Sequence, residues 1–519
     1  MRGTRLLAWL FAAVLFAFGS TAHAKTVAVV VGNNVPPEGA AGEGLATLRY
    51  ADDDAHRYAE LFRRFVDQTV LLTVYDAQTR GRVGGASVDG PPTRDALRKA
   101  LGALNWDEDL TAVYIVFTGH GAIDASGAPF LSLLDGPLTR TFLFDELLRT
   151  LPAERVHLII DACHAAGVVG LRGDRFGTAV DGSTTPVTPE DDRRWAQENT
   201  LARFPHVGVL ASSSTGESSH EWSVLEAGVF SHELLSGMWG AADINADQRI
   251  EYSELQSFVA SANRGVQDPR AKPSVVVHPP ALDPHVPLVE LGSLRETALL
   301  EGDLSSLGHF HVELGDGRRH LDGNVGGPIA VAVPAGRVFL RASQTEYAFE
   351  ARAGQRIAFA DLAGQPREAS ARGSTADTFR RRLFAEPYTY DYYRGFVDSV
   401  GAVPVALPQP PSPADALVTT PPVTRREDDD VGPRSRPRSR APGLALLSVA
   451  GVSGAVAIGT GVRAAVLRSR FSNVATEREA EPLVEPHRRS ATVAVSMAVT
   501  SGVTAVAGLL LLRRAKTAR

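Results

Sequence analysis

Cys163 is the only cysteine in a chain of 519 residues. No disulfide within the chain can use it, which leaves three readings: core filler, metal ligand or nucleophile. It ends the stretch Val156-His-Leu-Ile-Ile-Asp161-Ala-Cys163-His164. A second apolar stretch, Val113-Tyr-Ile-Val-Phe-Thr-Gly-His120-Gly121, ends on a histidine. A thiol beside an imidazole is the working pair of a cysteine peptidase. The imidazole takes the thiol proton as sulfur attacks a carbonyl carbon, then returns it to the departing amine. Gly121 puts no side chain over its own N–H, so that N–H and the N–H of Cys163 can together face a developing oxyanion. Zinc is disfavoured, because no second ligand pair sits nearby at metal spacing.

These residues need strands to carry them. Runs rich in Val and Ile read as buried strands, and both stretches are of that kind. Thr26–Val31, Val70–Val74, Val207–Ala211 and Val275–Val277 extend the set. Helical patterns alternate with them. Asp52, Asp53 and Asp54 open one containing Ala55, Tyr58, Leu61, Phe62 and Phe65, and acidic residues suit a helix N-terminus. Thr93–Leu104 follows with Thr93 as N-cap, then Phe142–Leu151, Val229–Met238 and Ser253–Ala262. Alternation of this kind predicts an α/β fold, a mostly parallel sheet flanked by helices. Sites in such sheets lie at the carboxyl ends of the strands, where His120 and Cys163 both fall. The long polar segment Gly167–Thr200 reads as an exposed loop.

Tyr114-Ile-Val-Phe-Thr-Gly119-His120-Gly121 and Ile160-Asp161-Ala-Cys163-His164-Ala-Ala-Gly167 resemble the two active-site blocks of caspase-like cysteine peptidases, family C14, nearest the metacaspase and bacterial orthocaspase branch. Tyr50-Ala-Asp-Asp-Asp54-Ala55 and Gly228-Val-Phe230 are similar to that group as well. The resemblance spans about Lys25–Ala262. It implies the caspase-haemoglobinase fold over residues 25–280, and a peptide-hydrolysing His120–Cys163 dyad. It also implies a specificity pocket lined by Asp161 and Asp54. Two carboxylates favour a cationic side chain, so the expected cleavage is after Arg or Lys. The Gln-Ala-Cys-Arg-Gly pattern of true caspases is absent. Related enzymes are often cut within the catalytic region, and Arg172, Arg175, Arg193 and Arg194 in the 167–200 loop offer such sites. The alternative is a caspase-like module of little or no activity, serving as a membrane-tethered platform for protein binding.

Asp243, Asn245, Asp247 and Glu254 stand at positions 1, 3, 5 and 12 of a loop patterned like an EF-hand, with Gln248 where the sharp turn wants Gly. Calcium is therefore a candidate ligand, although the dyad chemistry requires no cofactor. Residues 288–365 change to short alternating segments punctuated by Gly, which predicts a small all-β domain. Residues 402–442 are rich in Pro and Arg and read as a linker. At the N-terminus Arg2 and Arg5 precede the apolar run Leu6–Phe18 and Ala22-His-Ala24, a signal-peptide pattern over residues 1–24. Residues 443–462 and 491–512 are apolar and each long enough to cross a bilayer of roughly 30 Å. The chain thus reads as exported and membrane-anchored, its catalytic region on the periplasmic or extracytoplasmic side. Its net charge of −6 gives no reason to expect a nucleic-acid partner.

Overall fold

A computed structural model of the chain describes residues 25–39, 45–103, 110–170, 200–213, 221–266, 273–343, 345–366 and 382–406. These all fall within one compact unit, Met1–Pro408. The Val- and Ile-rich runs form a six-stranded central sheet of β1 (Lys25–Asn33), β2 (Gln68–Thr73), β3 (Leu110–Gly119), β4 (Arg155–Asp161), β5 (Val207–Ser213) and β6 (Ser274–His278). Its order is β6-β5-β4-β3-β1-β2. All neighbours are parallel except β6, which runs against β5. Residues Val27 to Val31 of β1 are all buried, with no alternation of exposure. A strand covered by packing on both faces needs that continuous apolar run.

Helices α1 (Ala51–Phe62), α2 (Arg94–Gly102), α3 (Ala165–Val169), α4 (Val229–Ser236) and α5 (Tyr252–Ala262) accompany the sheet. Thr93 caps α2 as expected, its Oγ1 accepting from the Ala96 N–H at 3.1 Å. Several local expectations are corrected. The aspartates do not cap α1. Asn34, at the end of β1, does so instead, its Oδ1 accepting from the N–H groups of Ala51 (2.9 Å) and Asp52 (3.3 Å). Helix α5 begins at Tyr252, one residue before the expected start, and is capped by Glu251 in a reciprocal box with Glu254. Phe142–Leu147 is a π-helical turn followed by a 3₁₀ turn, Leu148–Thr150, rather than one α-helix. Residues Gly167 to Val169 belong to α3 and not to the loop read there.

The alternating segments of the C-terminal part build two small sheets. One has three strands, with β7 (Thr297–Asp303) between β10 (Pro328–Pro334) and β13 (Arg356–Ala358). The other runs β9 (Arg319–Gly323), β8 (Phe310–Leu314), β11 (Gly336–Ala342), β12 (Thr345–Ala351) and β14 (Gln365–Pro366). They share one hydrophobic core with α1, α4 and α5. The approach is closest at Gly240, in the turn after α4. A Cβ there would lie 2.2 Å from the Ala330 carbonyl oxygen, and its φ of +117° favours glycine as well. A further helix, α6 (Tyr390–Val400), is capped by Thr389 and packs on α5 through hydroxyl contacts. Ser257 with Tyr388 (2.7 Å) and Ser253 with Tyr393 (3.1 Å) make them. The linker expected from Ala402 does not begin there. Val405 is buried, and its N–H donates to the Tyr393 hydroxyl.

The signal-peptide pattern, the 171–199 part of the polar loop, the linker from 407 onward and both apolar C-terminal stretches lie outside the described residues. Among the described residues no helix is long and apolar enough to cross a membrane.

A shared core makes a test. Phe310 on β8 is fully buried in it. Replacing a buried Phe by Ala typically costs about 3–5 kcal/mol. Phe310→Ala should lower a single thermal transition that includes the central sheet. Two transitions, the upper one unmoved, would mean that the strands of the C-terminal part melt on their own.

Candidate active site

The register of the central sheet fixes the site. Thr118 on β3 pairs with Asp161 on β4, so the two chains leave the sheet side by side. His120 and Cys163 each follow two residues later. Asn33 on β1 pairs with Gly119 on the other side. The backbones then close on each other beyond the strands. A Cβ built on Gly121 would lie 1.7 Å from the Cys163 carbonyl oxygen and 3.3 Å from its nitrogen. Glycine is therefore required at 121 for contact with the Cys163 backbone, a stronger reason than leaving its own N–H uncovered.

His120 is 8% exposed. The Ala46 carbonyl accepts a hydrogen bond from its ring, and this favours the charged form, but burial outweighs it and holds the imidazole below its ordinary pKa. Its Nε2 has no hydrogen-bond partner. That is the arrangement of a neutral base with one nitrogen anchored and the other available. His157 on β4 is a contrast. It is buried too, but its Nδ1 is 2.7 Å from the Tyr252 hydroxyl and its ring stacks on Tyr114, so it is a satisfied core histidine. Cys163 forms no disulfide and is half-buried. It lies in the tight turn from β4 into α3, where His164 takes a left-handed conformation, φ +58° and ψ +11°. A non-glycine residue held there costs roughly 1–3 kcal/mol, and such strain gathers at functional sites.

Asp54 and Asp161 come together although 107 residues of chain separate them. Gly228, just before α4, marks the meeting point. Oδ2 of Asp54 and Oδ2 of Asp161 are 2.9 and 3.0 Å from the place a Cβ on Gly228 would take. The Gly228 N–H donates to Asp54 at 2.7 Å. The hydroxyl and N–H of Ser231 donate to Asp161 at 2.7 and 3.2 Å. Asp54 is 2% exposed, and its Oδ1 has no hydrogen-bond partner. Burial pushes its carboxyl well above the usual carboxylate range, with the nearby charge of Arg57 opposing and that of Asp161 reinforcing the rise. The other two aspartates serve the fold. Asp52 accepts from Asn34 and from the Asp76 N–H, while Asp53 pairs with Thr79 and Arg82.

Sequence reasoning missed Ser231, the Ala46 carbonyl and Glu221, whose carboxylate accepts from the N–H groups of Arg49 and Tyr50 and holds the entry to α1. A serine within a helix and a carbonyl in a Gly-rich loop give no chemical signal of their own.

Asp243, Asn245, Asp247 and Glu254 do form one loop, and both Asp243 and Glu254 accept hydrogen bonds from backbone N–H groups within it. Asp243 accepts from the N–H groups of Asp247 and Gln248, and Glu254 from those of Ile244 and Glu251. Gln248 takes the left-handed conformation that glycine has in an EF-hand, φ +64°. Burial raises the Asp243 carboxyl to about 7. Among the described residues no group of three or more His, Cys, Asp or Glu side chains is disposed to hold a metal ion.

The Gly121 contact can be checked by stability alone. Gly121→Ala must push the Cys163 backbone aside, an overpacking cost of roughly 1–3 kcal/mol. Gly81→Ala, where nothing lies within 4 Å, is the control. A visible loss of Tm in the first and none in the second is expected. Equal melting of the two would remove the contact from the account.

The caspase domain family model, Peptidase_C14, matches residues 25–279, which run from the start of β1 through β6. No curated protein matches the chain. Among solved structures the chain is similar to a crystal structure of a protein from Geobacter sulfurreducens at 19% identity and a TM-score of 0.27. The match covers 49% of this chain and 92% of that one. The central sheet, its helices and the family match agree: residues 25–279 are a caspase domain of family C14.

Proposed function

We propose that the chain is a cysteine endopeptidase that cuts peptide bonds after Arg or Lys. The observation that carries this reading is the meeting of Asp54 and Asp161 at Gly228, beside the strand ends that bear His120 and Cys163. A buried carboxylate oxygen with no partner is costly. Oδ1 of Asp54 is such an unpartnered atom, and a substrate guanidinium or ammonium would satisfy it and favour the charged carboxylate that burial disfavours in its absence.

In the proposed reaction the Cys163 sulfur attacks the carbonyl carbon after the basic residue, and His120 Nε2 takes the thiol proton. The N–H groups of Gly121 and Cys163 donate to the oxyanion. His120 returns the proton to the leaving amine, which frees a thioester on Cys163. A water deprotonated by His120 then hydrolyses it, releasing the acid and restoring the thiol. The pattern of residues 1–24 and the apolar run 491–512 support an exported enzyme tethered to a membrane. Self-cleavage at the arginines of the 167–200 loop is consistent with the same specificity.

A peptide library with varied P1 residues tests the reading. Cleavage should follow Arg and Lys and vanish in Cys163→Ala. Asp161→Asn should lower kcat/KM for Arg substrates on the order of 10²-fold, since removing one partner of a desolvated charge pair costs about 2–5 kcal/mol. Unchanged Arg cleavage in that variant would reject the pocket assignment. The pH profile adds a sign. The lowered His120 pKa keeps the base neutral to more acidic pH, so the acid limb of kcat/KM should fall below 6.5, the ordinary imidazole value. A limb above that value would contradict the geometry.

A further inference from the structure

A second pocket, distinct from the proposed peptidase site, lies where the caspase domain meets the small sheets. Its cavity is about 60 Å³ and opens to solvent. Arg57 and Glu60 reach it from one face of α1, and Arg64 from the turn that follows the helix. Arg318 and Arg319 enter from the turn and strand after β8, and Trp239 from the turn after α4 forms part of the wall. Four guanidiniums therefore face a pocket in which Glu60 is the only carboxylate of the lining.

The charges do not balance. Arg318 is matched by Glu60, at 2.8 Å, and by Asp316. Arg319 is matched by the buried Asp322. Arg57 and Arg64 have no ion pair as close, although the buried Asp54 and Asp53 lie near Arg57 and Glu60 lies near Arg64. One Nη of Arg57 donates to the Leu225 carbonyl, and its Nη1 is buried without any hydrogen bond. Arg64 donates to the carbonyls of Arg295 and Glu296. Its one ion pair is to the Glu296 carboxylate, 3.8 Å away on a side chain that is 85% exposed, and its Nε is buried and unbonded. Two partly buried cations that line one pocket, each with an unbonded donor, favour an anion beside them. A guanidinium fork matches the geometry of a phosphate or carboxylate group.

We propose that this pocket binds a multivalent oxyanion of the phosphate type, held by Arg57 and Arg64 against the wall that Trp239 provides. Nothing in the binding requires the peptidase reading, so each can fail without the other.

Titration of the full chain with sodium pyrophosphate, and separately with inorganic phosphate, tests it against sodium chloride of equal ionic strength. Saturable binding at one site is expected, with a rise in Tm that chloride does not give, and pyrophosphate should bind more tightly than phosphate. Arg64→Met, which keeps the apolar stem over Trp239, and Arg57→Met should each weaken binding at least tenfold. Arg356→Met, which removes an exposed arginine paired with Glu301, should not. Pyrophosphate that acts no differently from chloride overturns the proposal in the wild-type chain alone. Equal loss in all three variants overturns it as well, since binding would then be diffuse attraction to a cationic surface.

Discussion

The backbone of Gly121 rests on the backbone of Cys163, and the site depends on that contact. It is possible only because β3 and β4 are parallel, adjacent and in a register that brings Thr118 level with Asp161. A one-residue slip of either strand would turn every side chain to the opposite face. Specific contacts oppose such a slip: Tyr114 on β3 donates to the Leu288 carbonyl and stacks on His157 of β4, whose Nδ1 meets the Tyr252 hydroxyl, so core packing sets the position of His120 and Cys163. What the core does not set is the chain beyond the sheet, where His164 is held in a left-handed conformation and His120 in a buried setting with one nitrogen unpaired. Those costs are carried by the packing beneath them.

Helix α4 is the second organiser. Gly228 and Ser231 at its start receive the two carboxylates, and His232, one residue on, is 2.8 Å from the buried Asp322 on β9. Asp322 also binds His309 and Arg319. The cations and donors around it hold its carboxyl well below the usual range, overcoming the opposing effect of burial. One helix thus joins the acidic pair to the strands of the C-terminal part through a buried polar network. Such networks are stable only when each member is satisfied. The small sheets are for that reason part of the framework behind the acidic pair rather than an appendage.

Much of this was legible in the sequence. The strands were, because runs such as Val113–Phe117 and Val156–Ile160 are too apolar and too β-branched to be anything but buried sheet. His120 and Cys163 stood out because each run ends on a reactive residue and the chain has one cysteine, and the register of β3 and β4 brings the two strand ends side by side. The three consecutive aspartates were only partly legible. Asp52, Asp53 and Asp54 look alike in sequence, and their roles diverge with the direction each takes from the helix: one toward Asn34, one toward Arg82, one toward Gly228. The cap on α1 was hidden because Asn34 reads as a turn residue. Helix α6 was hidden by Tyr390, Tyr392, Tyr393 and Phe396, which favour strands in isolation and form a helix here because they pack on α5. The segment 288–365 was recognisable as β structure from its glycines, yet its fusion with the caspase core appears only in three dimensions, at contacts such as Gly240 on Ala330.

The central claim is that Cys163 is a nucleophile served by an acidic specificity pocket. Because it is the only thiol, the labelling that is lost in Cys163→Ala reports on it alone. The direct measurement is the rate of Cys163 alkylation by an Arg chloromethylketone and by the corresponding Leu reagent, followed by intact mass, each normalised to iodoacetamide. The account predicts rapid labelling by the Arg reagent, slow labelling by the Leu reagent, and loss of that preference in Asp161→Asn with iodoacetamide reactivity retained. Equal rates for the two reagents in the wild-type chain would contradict it.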